Sequence, residues 1–592
     1  MEMNRREFLK AGTAVTLASL LPPLSFALAE GTEPTQENQT MSPKIHSNNA
    51  SCGVKADRLI LGHIVTLDAR YPILEALTVK DGLVQYVGTE EMARKLCDEH
   101  TIVMDYGENY IYPGVVESHC HGALAGPRLA YFADLTPGNT MQEYVDIVKR
   151  FIDANPDFDA YYGAGWGEKD GQPTAAMLDA ICPDKPIALN SFDGHSYWFN
   201  TKGMEKFGIN ADAVKEWGTD IIRVNADGTP TGYISEGPST NITNQINTLD
   251  KAKAKVAYLK WQEFAFSLGM TACYEAGVAE PFLEAIAELI QEGKWKLRVY
   301  AGWYIDERAE DYIAEVHKAK EMADKYNCEY LQIIGVKIFM DGVVEAHTAW
   351  MIDDYTDRAG YTGVERFNDY DRTVALYEEC AKLGLNVHQH TVGDGAVQFA
   401  LDCMEKAQIE TGNMHMRNAL AHLQCVSDED IKRLAALNAV AVVAPLWMSR
   451  HPENFYKQSV EYIGDKRTFY GYPLNSFLRH CGILAFHSDF PVSSSISFPD
   501  TIYMACRRTN PKNDVYYQWN PDECITREDA IAGLTTGPAY SVGQENHLGC
   551  LRIGYAANMS IYDKNFLTDD LEEISEAKTV ATIIDGEEVY QG

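Results

Sequence analysis

A chain of 592 residues exceeds the size at which one hydrophobic core keeps growing, so one large domain plus a smaller one is expected. With 46% hydrophobic and 23% charged residues the composition is that of a globular protein, which excludes disorder throughout. The formal charge of −34 argues against nucleic acid as a partner, because so acidic a surface repels phosphate backbones.

In chain order, Asn4-Arg5-Arg6-Glu7-Phe8-Leu9-Lys10 precedes an apolar, small-residue run from Ala11 to Leu21. Ala27-Leu28-Ala29 then offers a small-x-small cleavage pattern. Residues 1–29 resemble a twin-arginine signal peptide. A membrane anchor is the alternative, but Pro22-Pro23 break the run and it is short for a span. The resemblance implies the twin-arginine export machinery as a partner and a periplasmic, cell-surface or extracellular location. That route carries folded, cofactor-loaded proteins and so points to a cofactor acquired inside the cell. Residues 30–56, rich in Glu, Thr, Ser, Asn and Pro, read as a flexible linker.

From Asp57 short apolar runs begin. Leu77-Thr78-Val79 and Leu83-Val84-Gln85-Tyr86-Val87 predict a hairpin, with Lys80-Asp81-Gly82 supplying the turn chemistry. The C-terminus repeats this style in residues 557–562 and Val580 to Ile584, followed by Asp585-Gly586. Residues 57–105 and 545–592 are therefore expected to share one composite β-domain. Residues 106–544 form the rest, with an insertion around 125–250. Within them, strand-like runs (Leu331 to Met340, Leu385 to His390, Ala419 to Leu423, Ala439 to Ala444, Ile483 to His487) alternate with helical patterns (Asp371 to Lys382, Ala396 to Thr411, Ser427 to Leu437). That alternation predicts a parallel α/β architecture. The 13 cysteines are scattered singly without a CxxC pair, so buried, inert thiols are expected rather than a disulfide scaffold or a zinc knuckle.

Five stretches bring metal-type side chains to the C-terminal ends of predicted strands, where active sites of α/β barrels sit. Pro113-Gly114-Val115-Val116-Glu117-Ser118-His119-Cys120-His121 places His119 and His121 two apart, on one side of a strand. Cys120 should then face the other way. Lys337 lies inside the apolar run Ile334 to Met340. An unpaired buried ammonium is costly, so it points to a functional interior unless it snorkels to the surface. Carbamylation would make it an anionic oxygen ligand able to bridge two metals. His388 and His390 share a face in Val387 to Asp394, so their roles stay open, and a lone histidine such as His422 in Ala419 to Leu423 can equally be a satisfied core residue. Asp489, ending Ala485-Phe486-His487-Ser488-Asp489, can cap a turn, or bind a metal and take a proton from attacking water.

Together these stretches resemble the amidohydrolase superfamily, and within it the third amidohydrolase family of YtcJ-like metal-dependent hydrolases. Gly163-Ala164-Gly165-Trp166-Gly167, Asp193-Gly194-His195-Ser196, the His-x-x-Gly-Asp stretch and Ser488-Asp489-Phe490-Pro491-Val492 look like family motifs, in order, over residues 56 to 590. The resemblance implies a distorted TIM (β/α)8 barrel with a composite β-sandwich from both chain ends. It implies that His119 and His121 bind the more buried metal, that carboxylated Lys337 bridges, and that His390 and His422 bind a second ion. Asp489 would complete the site as general base, and His195 would steady an oxyanion from the substrate side. One or two divalent ions follow, zinc by default with iron and manganese as alternatives. The implied reaction is hydrolysis of a carbon–nitrogen bond in a small-molecule substrate. A lyase or isomerase on the same scaffold and a non-catalytic exported binding protein are the rivals, and a homodimer is left open. One departure stands out: the residue before Ser488 is commonly glycine in that family, and here it is His487.

Overall fold

Eight apolar segments, each followed by a longer helical stretch that supplies a crossover, pair side by side in parallel. In the computed structural model they are β1 (Val115–Cys120), β2 (Met270–Val278), β3 (Arg298–Tyr304), β4 (Leu331–Phe339), β5 (Asn386–Thr391), β6 (Ala419–His422), β7 (Val440–Val443) and β8 (Ile483–Phe486). The described residues are 54–592 apart from 68–72, 169–170, 192–195, 236–241, 243–245, 247–248, 449–456, 481, 494–495 and 513–517. The signal peptide read over residues 1–29, nearly all of the linker over 30–56, and His195 lie outside them.

Sheet order follows chain order from β1 to β8, which makes a nearly closed barrel of the α/β class. The seam between β1 and β8 carries no ladder among the described residues and is stitched individually. Ser118 Oγ donates to the Phe486 carbonyl at 2.6 Å. The amides of Asp489 and His121 donate to the carbonyls of His119 and Phe490 at 3.1 and 2.8 Å.

The outer helices form where apolar residues recur on one face. In Glu280–Gln291, Pro281 opens the first turn and Phe282, Leu283, Ile286 and Leu289 are all buried. Helix Tyr370–Leu383 is capped by Asp369, whose carboxylate accepts from the Arg372 amide, and it stops at Gly384 in the left-handed conformation. Cys120 packs in the large apolar core, its thiol 3.7 Å from the Tyr274 carbonyl.

A seven-stranded sheet takes strands from both chain ends. Its order is Glu587–Gln591, Thr579–Ile584, Met559–Tyr562, Ile102–Pro113, Arg58–Val65, Ile73–Lys80 and Leu83–Gly88. Asp81 and Gly82, both at positive φ, make the tight turn between the last two strands. This sheet meets the N-terminal ends of β1 to β3. The Val115 amide donates to Ser560 Oγ at 2.9 Å, Ser560 Oγ donates to the Gly269 carbonyl at 2.5 Å, and Arg298 pairs with Asp585 at 2.5 Å. The C-terminal mouth, at the opposite end, is left for chemistry. A six-stranded sheet built from residues 132–235 is inserted between β1 and β2.

Candidate metal centre

β1 carries Glu117 and His119, and His121 follows two residues on. Glu117 is buried; its carboxylate accepts the His119 amide at 3.0 Å and, with both oxygens, the Ser488 amide at 3.1 Å. Burial pushes its pKa up to about 8 even though those hydrogen bonds oppose the rise. The same carboxylate thus holds the strand that carries His119 and the loop that carries Asp489.

His119 Nδ1 lies 2.7 Å from His388 Nε2, and His388 stacks on Tyr274 at 4.3 Å. Burial first, then neighbouring Lys337, holds both imidazoles well below the ordinary histidine range, so both are neutral at pH 7. With the proton on His119 Nδ1 and donated to His388, the Nε2 lone pair of His119 is free for an ion. His390 is arranged alike. Its Nδ1 lies 2.9 Å from Asp341 Oδ1, and that carboxylate also accepts the amides of Val392, Gly393 and Trp350. A carboxylate so saturated accepts the imidazole proton and leaves His390 Nε2 facing inward.

Asp489 closes the group. Its Oδ1 is 3.1 Å from His121 Nε2 and 3.4 Å from His119 Nε2. Burial alone would raise the Asp489 pKa, but the His121 contact and the surrounding histidines outweigh it and hold the carboxyl well below its usual range. Lys337 is 0% exposed, with Nζ 3.4 Å from His119 Nε2 and 4.6 Å from the Phe339 ring centre. Desolvation draws its ammonium down to about 7, against the pull of Asp489. An uncharged amine is therefore accessible near neutrality.

His119, His422 and Asp489 each offer one donor atom within 4.8 Å of the others, all three buried. Both ring nitrogens of His422 lack a hydrogen-bond partner, as do both of His487. Orphaned buried polar atoms are rare, and imidazole plus carboxylate is the donor set that suits a divalent ion such as zinc. The residues fit the group. Two of the ligand-type residues, His422 (φ 81) and Asp489 (φ 59), also hold left-handed backbone conformations, a strain that accumulates at functional sites.

The sequence model of the amidohydrolase family matches residues 103–590. The chain belongs to the amidohydrolase family. It is similar to the protein LONG AFTER FAR-RED 3 of Arabidopsis thaliana, 24% identical over 553 residues covering 91% of this chain and 92% of that one. It is also similar to the N-substituted formamide deformylase of Arthrobacter pascens, 23% identical over 551 residues covering 89% and 97%. Among solved structures, a metal-dependent hydrolase from Pyrococcus furiosus superposes with a TM-score of 0.69 at 26% identity, covering 86% of this chain and all of that one. Amidohydrolase membership and the buried His/His/Asp trio support a divalent-metal hydrolase.

Within this amidohydrolase, six of the seven residues singled out in the sequence (His119, His121, Lys337, His390, His422 and Asp489) lie around one point at the barrel mouth, and His195 is the exception, outside the described residues. Trp166 and Trp198 are buried in the core of the six-stranded sheet. Tyr131 donates to the Lys253 carbonyl. Trp447 alone reaches the centre, stacking on His422 at 5.1 Å and 10°.

Sequence reasoning missed Glu275, from β2. Its carboxylate accepts the amides of Gly122 and Ala123 at 2.7 and 3.1 Å and so pins the turn after His121. Burial lifts its pKa to about 7. Glu275→Ala should destabilise the fold by ~2–4 kcal/mol, since it strips a buried and a half-buried amide of their acceptor. Urea titration reads this, and a loss below about 0.5 kcal/mol would show that the turn holds without the clamp.

Proposed function

We propose that this chain is an exported amidohydrolase that cleaves a carbon–nitrogen bond, other than a peptide bond, in a small molecule. The buried trio of His119, His422 and Asp489 at the barrel mouth carries the reading. The similarity to an enzyme named for deformylating N-substituted formamides supports the bond type.

His119, His121 and Asp489 would hold one ion, His390 and His422 a second, and Lys337, carboxylated, would bridge them. The carboxylation joins the uncharged Lys337 amine to carbon dioxide and releases a proton, leaving a carbamate. Zinc is the ion expected from these ligands. Bound there, it supplies Lewis acidity, which lowers the pKa of a water from about 15.7 toward about 7 and polarises a carbonyl.

The protein's own groups do the rest. Asp489, ionised at neutral pH, accepts the proton of the attacking water and returns it to the leaving nitrogen. Asp341 and His388 keep His390 and His119 in the tautomers with inward lone pairs. Glu117 and Glu275 fix the two turns from which Asp489 and His121 project. His195, in the role that the family resemblance implies, would donate to the developing oxyanion.

Zinc-loaded protein screened in heavy-oxygen water against N-acyl amino acids, formamides and cyclic amides tests this. Hydrolysis must place solvent oxygen in the carboxylate product; turnover without label would mean a lyase or isomerase. Export has its own test. Replacing Arg5 and Arg6 together by Lys should retain uncleaved precursor inside the cell, because the pathway reads the arginine pair rather than positive charge. Unimpaired secretion of that variant would assign the leader to the general route.

A further inference from the structure

His487 stands where the family pattern commonly has glycine, so it belongs to this chain rather than to the shared ligand set. It follows the last residue of β8 and lies two residues before Asp489, on the same inward side of the chain. It is 2% exposed, and neither ring nitrogen has a hydrogen-bond partner. A core histidine normally satisfies at least one nitrogen, so an imidazole left wholly unpaired needs another partner.

The rings around it indicate which. The centres of His119, His422 and His487 form a nearly equilateral triangle, with sides of 5.0, 5.0 and 5.1 Å. Imidazoles that share a tetrahedral ion, with metal–nitrogen bonds of about 2.0–2.1 Å, have ring centres roughly 5 Å apart, the spacing that His487 keeps from both His119 and His422. Asp489 lies beside this triangle, with a carboxylate oxygen in the donor group of His119 and His422. Trp447 covers the outer side, stacked on His422 and edge-on to His487 at 5.6 Å.

We propose that His487 is an additional protein ligand of this metal centre, entering where its ring packs against those of His119 and His422. The inference rests on the metal-centre reading above and extends it to a residue that the family resemblance does not supply. His487 is not in the tightest donor trio, so the proposal requires its ring to turn toward the ion on binding.

The test uses the whole mature protein, freed of metal by chelation, with zinc and cobalt(II) as probes. His487→Gly restores the residue common in the family, and His487→Gln keeps a polar side chain of similar reach. Thermal melts of both metal-free variants establish that they fold. The zinc Kd, read by competition with a chromophoric chelator, should rise by more than ~10³-fold in both, beyond the ~10–100-fold typical of losing an outer partner. The cobalt(II) absorption bands should shift and weaken as a nitrogen ligand is lost. Added imidazole should restore both in His487→Gly, because a free ligand can occupy the vacated space; a packing role predicts no such rescue. Unchanged zinc affinity and cobalt spectrum in either folded variant overturn the proposal and leave the hydrolase reading intact. A wild-type protein that takes up neither ion overturns both.

Discussion

Asp489→Asn should lower kcat by ~10²–10⁴-fold, the range typical of losing a general base, with KM changing far less. Asparagine keeps the size and one ligand oxygen while removing the negative charge and the basic lone pair. Two structural features make the substitution specific. Asp489 sits at φ 59, a conformation asparagine tolerates as well as aspartate, so the turn should persist. Its amide still donates to the His119 carbonyl, and a retained carbonyl oxygen still faces His121 Nε2. Metal content should therefore stay near wild type or fall modestly. Near-full turnover with metal in place would move proton transfer to another group, with His388 the next to test.

Much of this site could be read from residue order, because strand parity is a strong constraint. His119 and His121 fall on one side of a strand by spacing alone, and an apolar run around Lys337 marks a lysine with nowhere to send its charge. The predicted runs near 331–340, 385–390, 419–423, 439–444 and 483–487 fall on β4 to β8 within a residue or two. The turns at Asp81-Gly82 and Asp585-Gly586 were legible because few sequences make a two-residue hairpin.

What escaped has equally physical reasons. Glu117 and Glu275 satisfy the test that flagged Lys337, a charge inside an apolar strand, but their partners are backbone amides, and amides leave no mark in a sequence. His388 and His390 share parity, so only their contacts, one with His119 and the other with Asp341, tell them apart. The six-stranded insertion has strands as short as Ile222–Val224 and Phe132–Asp134, too brief to show a period. Trp447 differs from Trp166 and Trp198 by its place after β7, not by residue type.

Lys337→Ala should have the largest effect of any single change, because it acts on the ions themselves. The side chain is 0% exposed, its amine is 3.4 Å from His119 Nε2, and burial draws its pKa down to about 7, so an uncharged amine is available to combine with carbon dioxide. Removing it would take away the carbamate oxygens proposed above, which the histidines cannot replace. Zinc content should fall well below wild type and kcat by more than ~10³-fold, since the loss combines the nucleophile with carbonyl polarisation. Chelation of the wild type should produce the same inactive state, and zinc should reverse it there but not in the variant. Small carboxylates such as acetate should partly restore both metal and turnover in Lys337→Ala by occupying the vacated position. Lys337→Met separates this from packing: it refills the space and should melt at or above the temperature of the metal-free wild type, because no buried amine is left to desolvate. It should remain as metal-poor as the alanine variant, and acetate should not rescue it. Full zinc occupancy in folded Lys337→Met would remove the lysine from the ligand set.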